Sequence, residues 1–334
     1  MALGALDTPS EQPAAHEVLL EFPDNRLLIE LCGEFDRNLT DIEQKLDVQI
    51  VHRGNQLVVI GEDRLRQRAV TVLQSLYERL EGGRTVERGD VDRELRMKPA
   101  QDPPSGGQFE MFKGGHVEIK TRKKLVEPRT DAQKAYVQSL FAHELAFGIG
   151  PAGTGKTYLA VAVGVSMFIT GHVDKIILSR PAVEAGEKLG YLPGDMKDKV
   201  DPYMQPLYDA LSDFLPGKQL AKLIEEKRIE IAPLAFMRGR TLSNAYVVLD
   251  EAQNATTMQM KMFLTRLGEG SRMVITGDRT QIDLPRNVPS GLQDAERLLS
   301  SIPKVSFNYF TSRDVVRHPL VAAIIEAYEA DDKA

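Results

Sequence analysis

The chain has 334 residues, enough for two domains, and its 42% hydrophobic and 27% charged content is that of a globular protein. A net charge of −6 excludes indiscriminate polyanion binding over the whole surface and leaves local basic patches open. The absence of an apolar run of about 18 residues or a signal-peptide pattern, together with the single Cys32, argues against a membrane span, a disulfide and a cysteine metal cluster, and predicts a cytoplasmic protein.

Residues 1–16 carry Pro, Ser, Thr and acidic side chains without periodicity, which predicts a disordered tail. From Glu17 the pattern becomes regular. Residues 18–22 and 27–31 read as strands, and 39–46 as a helix capped by Asn38 or Thr40. Residues 49–52 and 57–61 read as a hairpin around Arg53-Gly54-Asn55-Gln56. Between 64 and 80, Ala69, Val70, Val72, Leu73, Leu76 and Leu80 fall at helical spacing. The resulting order β–β–α–β–β–α resembles a KH-like RNA-binding fold, a small α+β domain over residues 17–81. KH domains grip RNA with a GXXG loop. Glu34-Phe35-Asp36-Arg37 stands where that loop falls, with two acids and no glycine pair. The domain therefore reads either as a nucleic-acid binder or as a docking and assembly module.

Residues 82–108 read as a linker, with Gly82-Gly83, a mixed-charge run and Pro103-Pro104-Ser105-Gly106-Gly107. Residues 109–112 and 116–120 bracket Lys113-Gly114-Gly115 as a small hairpin. Lys113, Lys120, Arg122, Lys123, Lys124 and Arg129 then form either a solvated charged strand or a nucleic-acid path.

The rest, residues 109–334, reads as one α/β domain in which apolar strands alternate with helices around a parallel sheet. Gly150-Pro151-Ala152-Gly153-Thr154-Gly155-Lys156-Thr157, continuing into Tyr158, fits the phosphate-loop pattern G-x-x-x-x-G-K-[ST] between an apolar strand and an alanine-rich helix. Its glycines let successive N–H groups face phosphate oxygens, Lys156 adds a charge for the β- and γ-phosphates, and Thr157 offers a hydroxyl to Mg²⁺. Residues 245–249 form an apolar strand ending in Asp250-Glu251, a Walker B pattern. Asp250 would hold Mg²⁺ through its shell, and Glu251 would orient or deprotonate the attacking water. The motifs predict ATP and Mg²⁺ as cofactors and ATP hydrolysis as the reaction.

Thr276-Gly277-Asp278-Arg279-Thr280-Gln281 resembles the G-D-x-x-Q motif of superfamily 1 helicases, which implies that Gln281 senses the γ-phosphate. The resemblance also implies that Gln133, with Thr130 ahead of the P-loop, reads adenine, and that Arg180, Arg238 and Arg240 lie in strand-contacting segments. The P-loop, residues 179–190, the loop 191–195, Arg238-Gly239-Arg240-Thr241 and residues 314–321 together look like the PhoH family, in its shorter branch without a PIN nuclease domain. That resemblance implies a RecA-like P-loop NTPase core with helicase-like features, a link to RNA metabolism and phosphate starvation, and room for an endoribonuclease partner. A single RecA-like domain lacks the arginines that a second one supplies, so a ring-shaped homo-oligomer, a hexamer, is expected. Arg317, ahead of Arg313, is expected to reach the ATP of a neighbouring subunit. A nucleotide-dependent switch that controls partner docking stays open beside an RNA helicase. A GTPase is disfavoured by the lack of an [NT]-K-x-D motif, and a small-molecule kinase by an Asp250-Glu251 pair suited to water attack.

Overall fold

The structure, a computed structural model, describes residues 17–97, 117–181, 196–285 and 287–316. The chain divides into two compact units, Met1–Pro104 and Ser105–Ala334. Among the described residues no helix is long and apolar enough to cross a membrane.

The N-terminal unit runs β1 (Glu17–Glu21), α1 (Asn25–Cys32), α2 (Arg37–Leu46), β2 (Gln49–Arg53), β3 (Gln56–Ile60), α3 (Asp63–Glu81) and α4 (Arg88–Arg96). Its strands form an antiparallel sheet in the order β1-β3-β2. Helix α3 packs Ala69, Val72, Leu73 and Leu76 into the core behind that sheet.

Residues 27–31, expected as a strand, belong to the helix α1. The Asp24 carboxylate caps it by accepting from Arg26 N at 2.8 Å, and Gly33, at a φ of 74°, ends it. Leu28, Leu31 and Cys32 are buried while Ile29 is exposed, a helical period in a stretch too short to display one clearly. The order is therefore β–α–α–β–β–α. The expected caps of α2 are also corrected. The helix begins at Arg37 after a left-handed Asp36, and Asn38 is buried, its Nδ2 donating to Leu31 O at 2.9 Å to close the end of α1. The turn between the two helices carries Phe35 and Asp36, both left-handed, with the Phe35 side chain fully exposed. The span expected as linker contains α4, whose Val91 joins the core of this unit.

The second unit opens with a two-stranded antiparallel ribbon, β4 (Ile119–Lys120) and β5 (Leu125–Val126), and α5 (Asp131–Ala142). The hairpin expected around residues 113–115 lies outside the described residues. A run of βα units follows: β6 (Leu145–Ile149), α6 (Lys156–Ile169), β7 (Lys175–Arg180), α7 (Met196–Phe214), α8 (Gly217–Glu225), β8 (Ile229–Pro233), β9 (Ala245–Leu249), α9 (Thr257–Leu264), β10 (Arg272–Gly277), α10 (Gly291–Leu299) and β11 (Val305–Tyr309).

The six strands pair in parallel in the order β11-β6-β10-β9-β7-β8. Alternate residues of each strand serve opposite faces. Ala146, Ile176, Leu178, Val248 and Val274 pack with α5, α6 and α7, whereas Phe147, Ile149, Ile177, Val247, Leu249 and Ile275 pack with α9 and α10. Helices thus cover both faces, which explains why the strands are apolar almost throughout. The expected α/β core, a parallel sheet preceded by a small α+β unit, is the observed architecture.

Candidate active site

Parallel strands release their following loops at one edge, and the strand order decides which loops meet. Strand β10 lies between β6, which leads into the P-loop, and β9, which ends in Asp250. Its own end, Thr276 to Asp278, is therefore delivered between the two motifs.

The P-loop curls as its glycines require. Gly150, Gly153 and Gly155 have φ of 155°, 82° and 78°, and a Cβ on Gly150 would stand 2.5 Å from Phe310 O. Gly150 N donates to Gly277 O at 3.1 Å, tying the loop to β10. Thr154 is buried, and its hydroxyl donates to Pro151 O at 2.9 Å. Ala152 follows Pro151 on the half-buried shoulder of the turn. Lys156 is buried at the start of α6, its Nζ donating to Gly150 O at 2.7 Å and Pro151 O at 2.8 Å. Burial lowers its pKa below the ordinary lysine value, and the nearby Asp278, Glu251 and Asp250 oppose that shift.

Beside it Asp250, also buried, accepts through Oδ1 from Thr157 Oγ1 at 2.6 Å and from Thr276 Oγ1 at 2.8 Å. Two hard oxygen donors, one carboxylate and one hydroxyl, so converge at a helix N-terminus, a donor set that fits Mg²⁺. Glu251 has a left-handed backbone, with a φ of 51°. Gln253 Nε2 donates to its Oε2 at 2.6 Å, and Arg180 Nη2 lies 3.0 Å from its Oε1.

Gln281 is exposed just beyond β10, its N donating to Asp278 O at 3.2 Å. Gln133 is buried and uses both ends of its amide on the protein: Oε1 accepts from Arg129 N at 2.7 Å and Nε2 donates to Thr154 O at 3.0 Å. In this structure it braces the P-loop. The Tyr158 hydroxyl points to Asp213 Oδ2 at 3.2 Å, and its ring packs on Phe214, so this side chain ties α6 to α7.

The three arginines assigned to a strand path differ. Arg238 is exposed after β8. Arg240 forms a two-pronged pair with Glu230 at 2.6 and 2.7 Å, and Arg180 is paired with Glu251. Lys123 and Lys124 of the basic stretch bond Ser212 O and Asp213, which fixes them to α7. Arg313 is exposed in a short turn after β11, and Val316 N donates to Gly153 O at 3.0 Å, bringing that segment onto the P-loop of its own chain. Arg317 and residues 182–195 lie outside the described residues.

The sequence patterns run through Thr276, Gln253 and Asp278 without giving any of them a role in the site. Gln253 Oε1 accepts from Asp278 N at 3.0 Å. Asp278 is buried, its Oδ1 accepting from Thr280 while Oδ2 has no hydrogen-bond partner among the described residues. The signal available was the polar interruption Thr276-Gly277-Asp278 at the end of an otherwise apolar strand.

The model of a family described as PhoH-like protein matches residues 125–329. A PhoH-like protein of Bacillus subtilis (strain 168) is 49% identical over 310 residues, covering 93% of this chain and 96% of that protein. One from Synechocystis sp. (strain ATCC 27184 / PCC 6803 / Kazusa) is 43% identical over 313 residues, 94% of each. Protein PhoH of Escherichia coli (strain K12) is 44% identical over 202 residues, covering 60% of this chain and 57% of that protein.

Proposed function

The chain belongs to the PhoH family, and on that premise we propose that it is a Mg²⁺-dependent ATPase that couples hydrolysis to the binding and remodelling of single-stranded RNA. The observation that carries the ATPase half is the Thr157–Asp250 contact. It joins residues 93 positions apart and sets the P-loop hydroxyl against the Walker B carboxylate beside Lys156.

In this reading phosphate oxygens replace the two loop carbonyls as acceptors for Lys156, and the N–H groups of the loop and of the first turn of α6 face the same anion. Thr157 and Asp250 would hold Mg²⁺, which would supply neutralisation of phosphate charge there when bound. Glu251 orients a water and takes its proton as the water oxygen bonds to the γ-phosphorus. The bond to the β–γ bridging oxygen breaks, and ADP and inorganic phosphate leave. Gln281 reports the state of the γ-phosphate to the strand path.

The RNA half rests on the sheet's carboxyl edge, where Arg238 is exposed after β8, the strand next to β7. Steady-state phosphate release with and without single-stranded RNA tests it: acceleration supports the coupling, and an unchanged rate removes it. A second reading, a nucleotide-driven switch that docks a protein partner, is favoured by the fully exposed Phe35 between Glu34 and Asp36. Such a tip suits an apolar pocket better than a phosphate backbone, and under this reading RNA leaves the rate unchanged.

The proposal includes a closed homo-oligomer in which Arg317 or Arg313 reaches the ATP of the next subunit. The intrachain contact of Val316 with Gly153 favours the alternative, that this arginine serves its own chain's nucleotide. Mixing Lys156→Ala with Arg317→Ala subunits separates them. Activity returns in exchanged rings if the arginine acts between subunits, and does not if it acts within one.

A further inference from the structure

Glu251 is held from three directions. Its left-handed backbone is a conformation that a non-glycine residue keeps only when its surroundings impose it. One carboxylate oxygen faces Arg180 Nη2 at 3.0 Å, and the other accepts from Gln253 Nε2 at 2.6 Å. Arg180 is itself anchored, because its Nη1 donates to the Tyr203 carbonyl of α7 at 3.0 Å. Gln253 is 1% exposed and also accepts from Asp278 N, so one amide joins Glu251 to the loop after β10.

A carboxylate that is to take a proton from water must present a free lone pair to that water. Here the guanidinium competes for the outer oxygen. We propose that Arg180 is a positioning residue that restrains Glu251, and that a backbone phosphate of a bound single strand releases the carboxylate by taking the guanidinium. The inference rests on the reading of the site as an RNA-coupled ATPase.

Three features make the exchange chemically reasonable. Arginine binds phosphate with the same two-pronged geometry that it offers a carboxylate. The Arg180 and Glu251 side chains are 21% and 33% exposed, so an incoming anion can reach their pair from the solvent side. Finally, Gln253 keeps its bond to Oε2 when Arg180 departs, so the released carboxylate stays beside the site instead of swinging into solvent. Arg180 ends β7 and Arg238 follows β8, the adjacent strand, which puts the sensor on the edge where the strand is expected to run.

The test is steady-state ATP hydrolysis by full-length Arg180→Gln without nucleic acid, then with an oligonucleotide of single-stranded RNA. In this variant kcat should rise roughly two- to fivefold, the scale set by losing one part-exposed ion pair, with KM for ATP unchanged and no further acceleration by RNA. Arg180→Lys, which keeps a cation opposite Glu251, should stay near the wild-type rate. In a Glu251→Gln background the second change should raise nothing, which shows that the effect passes through that carboxylate. Thermal unfolding and ATP binding of Arg180→Gln report whether the variant is folded. A folded Arg180→Gln with unchanged or lower kcat overturns the restraint. A raised kcat with full RNA stimulation retained overturns phosphate as its release. A raised variant beside a wild type that no single strand accelerates removes the RNA-coupled reading and leaves the restraint standing.

Discussion

Thr276→Val exchanges a hydroxyl for a methyl group of similar size at a fully buried position. The change removes one of the two donors to Asp250 Oδ1, the 2.8 Å bond from Thr276 Oγ1, and leaves the 2.6 Å bond from Thr157. A hydrogen bond to a charged acceptor contributes about 1.5–3 kcal/mol. In a domain of this size that corresponds to a fall in Tm of roughly 3–12 °C without nucleotide. The loss should also be felt when MgATP binds, because Thr276 orients the carboxylate that would hold the metal. The same 1.5–3 kcal/mol, at about 1.4 kcal/mol per factor of ten, predicts that the Mg²⁺ concentration for half-maximal hydrolysis rises roughly ten- to hundredfold. Hydrolysis measured across a Mg²⁺ titration, with thermal unfolding alongside, checks both numbers. A lowered Tm with an unmoved Mg²⁺ midpoint would refute the claim that Thr276 positions the metal-holding carboxylate.

Lys156→Met should raise the Tm of the nucleotide-free protein, because burial dominates the lysine's environment, and should abolish the Tm increase that ATP gives the wild type. The folded-state pKa of Lys156 lies below 10.5, so between the two values the unfolded chain holds the proton and the folded chain does not. Wild-type stability relative to Lys156→Met therefore rises with pH through that window, as paired denaturation curves would record. Gly150→Ala places a Cβ against Phe310 O at a φ of 155°, so the P-loop must shift. ATP binding by calorimetry should fall roughly five- to hundredfold, on a backbone strain of about 1–3 kcal/mol. Arg238→Ala should weaken RNA binding and reduce its salt dependence by about one charge. Arg240→Ala, which loses the Glu230 pair, should instead lower Tm slightly and leave RNA affinity alone.

The parts of this protein legible in its sequence are those whose chemistry is local. The P-loop announces itself through glycines that only a positive φ explains, and β9 through an apolar run ending in two acids. Helix α1 reads as a strand because its eight residues show the burial of Leu28, Leu31 and Cys32 as little more than one turn of periodicity, while its decisive signals, the Asp24 cap and Gly33, stand outside it. Helices α7 and α8 are not legible in the sequence, where Pro202 and Pro206 disguise the first of them. Charge was legible and pairing was not. Arg240 and Arg180 read as strand contacts, and nothing near them in the sequence shows that the fold sets Glu230 and Glu251 opposite them. Nor does any local pattern give the strand order, and it is the placement of β10 between β6 and β9 that brings Thr276 and Asp278 into the site.

The proposed role of Glu251 is to activate water against ATP held by Lys156, Thr157 and Asp250. Phosphate release from MgATP by wild type and Glu251→Gln, with nucleotide binding measured on the same samples, isolates that role. ATP affinity should be equal and the rate lower by roughly two to four orders of magnitude, the scale of a lost general base. A Glu251→Gln protein that binds ATP and releases phosphate at the wild-type rate would contradict it.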